Sequence, residues 1–102
     1  MSDLPKLVRN KIPSLIRSSG RVCEYRTASK QEMSQLLFEK LEEEMKEFAE
    51  DPGVEEASDM YEVFLAILNH WSIDFSSVVN HSYYKRDERG GFNNGVVLES
   101  VE

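Results

Sequence analysis

Apolar residues recur every three to four positions through two long stretches of this chain. Counting 100° per residue from Leu37, the side chains of Phe48, Leu41, Met45 and Phe38 fall within about the next 100°. That is the apolar stripe of an amphipathic helix. Ser29 followed by Glu32 matches a capping box and marks its start. Asp51-Pro52-Gly53 predicts its end near Glu50, because proline disfavours helix for the residue before it. The second stretch runs from Val54 to His70. Its later part, Val63 to Leu68, is apolar nearly all round, which predicts burial on several sides. A connection this short makes the two helices antiparallel neighbours.

Shorter elements flank this pair. Lys6 to Lys11 reads as a basic, extended segment leading into a short helix through Ile12, Leu15 and Ile16, with Pro13 in its first turn and Gly20 as its stop. Alternation from Arg21 to Thr27 suggests a short strand. Ser72 can cap a further helix from about Ile73 to Arg89, closed by Gly90-Gly91. Asn93-Asn94-Gly95 followed by Val96-Val97-Leu98 reads as a turn and a second short strand. The expected fold is a mainly α, antiparallel helical bundle over residues 1–102, one domain, with a small β element from the chain ends.

Against this pattern some acidic residues are out of place. Glu44 lies only about 20° outside the apolar stripe of the first long helix, with Glu47 and Glu43 further round. On the second, Glu56 and Asp59 lie within about 40° of Val63. Acidic runs are ordinarily solvated faces. Acids at i, i+3 on two neighbouring helices, each beside the apolar side, are different. Such carboxylates repel one another and are costly to desolvate unless a cation sits between them.

Charge distribution sharpens this reading. The net charge is −7, yet residues 1 to 30 carry seven Lys/Arg against two acids, and residues 31 to 75 carry thirteen acids against two lysines. An acidic centre between basic segments suits a polyanion held through cations, metal on the carboxylates and Lys/Arg on the phosphates. Overall acidity excludes a general duplex-DNA binder, so no nucleic-acid polymer is expected as partner. No apolar run approaches a membrane span and the N-terminus lacks the apolar core of a signal peptide, so no membrane partner is expected. The single Cys23 fits a reducing, cytoplasmic setting. A core this small is marginal alone, and oligomerisation would remedy it.

The chemistry then narrows. Mg²⁺, with Mn²⁺ as the alternative, takes oxygen ligands and keeps several waters. Glu44, Glu47, Glu56 and Asp59 can supply one or two such ions, with Glu43 beside them as a further ligand or a base. Zinc is disfavoured by one Cys and two dispersed His, His70 and His81, which have no partner motif. No P-loop, EF-hand or nucleophile-elbow spacing occurs. Lys85 and Arg89, four apart on one face and with Asn80 placed about a turn earlier, either grip phosphates or complement the helix macrodipole. Arg9 and Lys11 share that ambiguity. Trp71, Phe75 and Tyr84 are either core or stacking surfaces.

Glu43-Glu44-x-x-Glu47 followed by Glu56-x-x-Asp59 resembles the signature of the MazG-like all-α nucleoside triphosphate pyrophosphohydrolases, which include phosphoribosyl-ATP pyrophosphohydrolase and the dimeric dUTPases. Lys6-Leu7-Val8-Arg9-Asn10-Lys11-Ile12-Pro13 and Arg89-Gly90-Gly91-Phe92 resemble a small phosphoribosyl-ATP-pyrophosphohydrolase-like branch. The likeness spans nearly the whole chain. It departs from the pattern at Asn10, where Asp is expected, and in a short gap between Glu47 and Glu56. The resemblance implies Mg²⁺-dependent cleavage between the α and β phosphates of a nucleoside triphosphate, releasing monophosphate and pyrophosphate, in house-cleaning or nucleotide-pool control. It implies Glu44, Glu47, Glu56 and Asp59 as metal ligands with Glu43 in the same catalytic cluster. Lys85 and Arg89 would meet the phosphates and Asn80 the nucleotide, in a homodimer or dimer of dimers. The competing expectation is a catalytically silent helical dimerisation or nucleotide-binding module of the same fold.

Overall fold

The structure, a computed structural model, describes residues 4–102. Among them four helices form: α1 (Ile12–Ser18), α2 (Lys30–Glu50), α3 (Val54–His70) and α4 (Phe75–Arg89). Local chemistry explains most of their ends. Pro13 occupies the first turn of α1, and Gly20 follows it with φ +85°, a left-handed conformation that glycine adopts at no steric cost. The Ser29 hydroxyl accepts from the Glu32 backbone N–H at 3.1 Å, capping α2. The Glu32 carboxylate turns outward instead, where both terminal nitrogens of Arg26 donate to it at 2.8 and 2.5 Å.

The α2–α3 hairpin carries the core. Its antiparallel register is recorded at one end, where Ser34 Oγ lies 3.0 Å from His70 Nε2 and the Phe38 and Trp71 rings stack with centroids 5.3 Å apart. Leu37, Val63 and Leu68 are its buried apolar residues among those described, with Leu37 1% exposed. The inward row of α2 is Leu37, Leu41, Glu44 and Phe48, spaced four, three and four. Glu44 is thus part of the stripe rather than at its margin. Phe38 and Met45, expected inside that stripe, are exposed. They lie about 80–100° round from Leu37, on a flank where Phe38 meets Trp71 at the end of α3 yet stays exposed.

Three further expectations are corrected. The cap of α4 is Asp74, whose Oδ2 accepts from the Ser77 backbone N–H at 3.0 Å. Ser72 instead turns the chain out of α3 with φ 55°. Neither expected strand forms: residues 21–27 and 96–98 carry no ladder, and all but Cys23 are exposed. A strand exists only through a partner's backbone groups; without one, water satisfies them. Finally, α4 stands largely clear of the hairpin; Phe75 meets Tyr61 edge-on at 6.4 Å.

The chain is therefore extended. Its radius of gyration is 17.8 Å, against about 13 Å for a compact domain of this length. Phe38, Met45, Tyr61, Phe64 and Trp71 all remain exposed along the hairpin. No helix among the described residues is long and apolar enough to cross a membrane.

Candidate metal centre

Helical spacing brings Glu43, Glu44 and Glu47 together on one side of α2. Each offers a carboxylate oxygen, and these oxygens lie within 4.8 Å of one another. Glu47 is exposed, Glu43 half-buried and Glu44 buried, 6% exposed. Lys40, one turn earlier, reaches into the group: its Nζ is 2.9 Å from Glu43 Oε1 and 3.4 Å from Glu44 Oε1. From the extended N-terminal segment Lys6 Nζ donates to Glu43 Oε2 at 3.1 Å. The remaining oxygen, Glu44 Oε2, is buried with no hydrogen-bond partner among the described residues.

That oxygen decides what the cluster wants. Burial pushes the Glu44 carboxyl above the ordinary glutamate range, and the charges of Glu47 and Asp59 add to this while Lys40 opposes it. Burial also works against the Lys40 charge. Its hydrogen bond to Glu43 and the charges of Glu43 and Glu44 outweigh that, holding the ammonium above the ordinary lysine range. Lys40 and Lys6 thus supply two positive charges to a group of three carboxylates and leave a buried oxygen without a partner among the described residues. Hard oxygen donors with an uncompensated negative charge fit Mg²⁺ or Mn²⁺.

The second helix contributes less than expected. Asp59 is near enough for its charge to act on Glu44, but its Oδ1 accepts from Arg9 Nη2 at 2.8 Å. Glu56 folds back toward its own helix start: its Oε1 lies 3.1 Å from where a Cβ on Gly53 would stand. The expected set of Glu44, Glu47, Glu56 and Asp59 is therefore not gathered. The close group is Glu43, Glu44 and Glu47, with Asp59 as an electrostatic neighbour. Faces computed from periodicity say which residues turn toward a neighbour, but rotation and shift between two packed helices decide which of them meet.

Two grooves take in part of the candidate set, while Glu44, Glu56 and Asp59 line neither. One, about 550 Å³, is lined by Lys6 and Leu7 of the N-terminal segment and by Lys40, Glu43 and Glu47 of α2, among others. The other, about 1190 Å³, runs along α4 past Lys85 and Arg89 to Gly91 and Phe92. His81 lines it too, completing an i, i+4, i+8 row with Lys85 and Arg89. Asn80 does not: it is turned about 140° from Lys85 and is exposed on another side of α4. Lys11 is exposed at the start of α1. Among the described residues none lines both grooves, so the carboxylates and the α4 cations face different openings.

The sequence alone assigns no site role to Lys6, Lys40 or His81. The spacing of Lys40 before Glu43 and Glu44 and of His81 before Lys85 was a readable signal; the Lys6 contact spans thirty-seven positions and was not. No protein family, curated protein or solved structure matches this chain in comparison.

Proposed function

We propose that this chain is a Mg²⁺-dependent nucleoside triphosphate pyrophosphohydrolase, cleaving the α–β phosphate bond to give a monophosphate and pyrophosphate. The observation that carries the reading is the orphaned Glu44 Oε2, buried beside two other carboxylates. A nucleotide bearing several phosphates is the substrate class that matches an acidic cluster paired with a separate cationic row. Glu43, Glu44 and Glu47 would hold the ion, with Asp59 and Glu56 completing the site through side-chain rotation. When bound, the ion supplies neutralisation of phosphate charge and polarisation of an attacking water. Mn²⁺ would substitute for Mg²⁺.

The chain's own groups do the rest. Lys40 keeps Glu43 and Glu44 turned toward each other. Lys85 and Arg89, with His81 beside them, present a basic row on one helix face to a phosphate chain. Arg9, beside Asp59, and the exposed Lys11 add positive charge from the N-terminal segment. Once these groups are assembled around the substrate, charge developing at the phosphate is met by fixed charges, the usual source of rate enhancement in phosphoryl chemistry.

The functional unit in this reading is a homodimer or dimer of dimers. Its support is physical: α4 buries no residue against the hairpin, and the hairpin leaves Phe38, Met45 and Phe64 exposed. A partner's α4 would bring Lys85 and Arg89 to the carboxylates of its neighbour.

One observation favours the silent-module reading: Lys6, Lys40 and Arg9 already offset part of the acidic charge with no ion. Incubation with mixed NTPs and dNTPs plus Mg²⁺ separates the two. Pyrophosphate release that vanishes in Glu44→Gln and Glu47→Gln is expected of the enzyme. Folded wild-type protein releasing none would support the module.

A further inference from the structure

The segment Lys6–Arg9 crosses the open side of the hairpin. Lys6 pairs with Glu43 of α2 at 3.1 Å, and Arg9 pairs with Asp59 of α3 at 2.8 Å. Three residues of extended chain reach about 10 Å, the usual distance between the axes of packed helices. The segment therefore fits its span and ties one acid on each helix. Between its two ends Leu7 and Val8 are half-buried, an anchor that does not depend on either ion pair.

Both oxygens of Glu43 are engaged, Oε1 by Lys40 and Oε2 by Lys6. A divalent ion bound at Glu43 repels both ammoniums across a few ångströms, so binding weakens one or both of these pairs. Lys40 sits on the same helix, and its side chain is the less exposed of the two, 16% against 30% for Lys6. Lys6 is the partner that yields. The Arg9 side chain is more exposed still, and ion pairs at such positions are individually weak. A divalent cation drawn in by the buried Glu44 oxygen opposes Lys6 directly at Glu43, and its charge acts on Arg9 through the neighbouring Asp59.

We infer that Lys6–Arg9 is an exchangeable strap: its two cations neutralise Glu43 and Asp59 while no divalent ion is bound, and ion binding displaces them. This rests on the metal reading above and adds to it a built-in competitor that sets metal affinity. Once displaced, Lys6 remains at the carboxylate groove that it lines, with the charge a phosphate chain requires.

The test uses Mn²⁺ alone with the full chain at low ionic strength, following free Mn²⁺ by its electron paramagnetic resonance signal. The K6A/R9A double variant should bind about three- to tenfold tighter than wild type, the weight of two part-exposed ion pairs. Glu44→Gln should bind neither tightly nor with a response to the strap. Equal or weaker Mn²⁺ binding by the double variant overturns the strap and leaves the metal site standing. Absence of Mn²⁺ binding in wild type and double variant alike removes both. Should the double variant not fold, the wild type alone decides: trypsin cleavage after Lys6 or Arg9 should speed up severalfold when Mn²⁺ is added. An unchanged or slower rate overturns the strap.

Discussion

Replacing Glu44 by Gln isolates the group on which the account turns. The side chain is 6% exposed, one oxygen has no partner, and burial disfavours its charged form. Leaving a buried polar group unsatisfied costs about 1–3 kcal/mol, more when it is charged. Gln keeps the shape, removes the repulsion from Glu47 and Asp59, and gives up a long 3.4 Å contact to Lys40, which retains Glu43 at 2.9 Å. We therefore expect the metal-free variant to be more stable than wild type by about 1 kcal/mol, a rise in Tm of about 4–8 °C. The sign reverses with metal. At ten times its Kd an ion stabilises wild type by about 1.4 kcal/mol and the variant hardly at all. The pH dependence has a definite direction. A carboxyl whose folded pKa is raised above 4.5 is penalised above that raised value, so the gap between variant and wild type is fullest near neutrality. The gap shrinks as pH falls through the raised value and vanishes below the ordinary one. Thermal melts at fixed protein concentration, with EDTA or with Mg²⁺, measure all three. A metal-free variant less stable than wild type at every pH would show that Glu44 is already satisfied internally and refute the reasoning.

Other changes probe the frame. Ser29→Ala removes the cap of α2 and should cost about 1 kcal/mol, read in chemical denaturation. Leu37→Ala, at the most buried side chain, should cost about 2–5 kcal/mol and leave too little core for a cooperative melt. Phe38→Ser and Met45→Ser, on the uncovered flank, should instead shift sedimentation velocity toward the monomer while preserving helicity by circular dichroism. Asp74 is held below its ordinary carboxyl range by hydrogen bonds from Ser76 and Ser77. Its capping contribution should therefore be complete above pH about 3.8 and fade as pH falls through the lowered value, seen as faster amide exchange at Ser77.

Legibility followed the range of the forces involved. The ends of α2 and α3 were readable because Ser29 and Asp51-Pro52-Gly53 act within a turn of where they stand. The start of α4 was misplaced by two residues because Ser72 and Asp74 are both competent caps, and only the turn out of α3 decides between them. The strands failed for the opposite reason, since pairing depends on a partner that alternation along one strand does not name. In the site, Glu43, Glu44 and Glu47 come together by helical spacing alone. The positions of Glu56 and Asp59 depend on how α3 rotates against α2, and on Arg9 and the Gly53 turn competing for them. The depth of Glu44 was underestimated because the row meeting α3 is centred on Leu37 and Phe48, leaving Phe38 and Met45 outside.

The central claim is that the α2 carboxylates hold a divalent cation. Crystals grown with Mn²⁺ test it most directly through the metal's anomalous scattering. The account predicts a peak beside Glu44 Oε2, about 2.0–2.3 Å from oxygens of at least two of Glu43, Glu44 and Glu47, with Lys6 turned away. Full-occupancy Mn²⁺ elsewhere, with Glu44 still closed against Lys40, would contradict it.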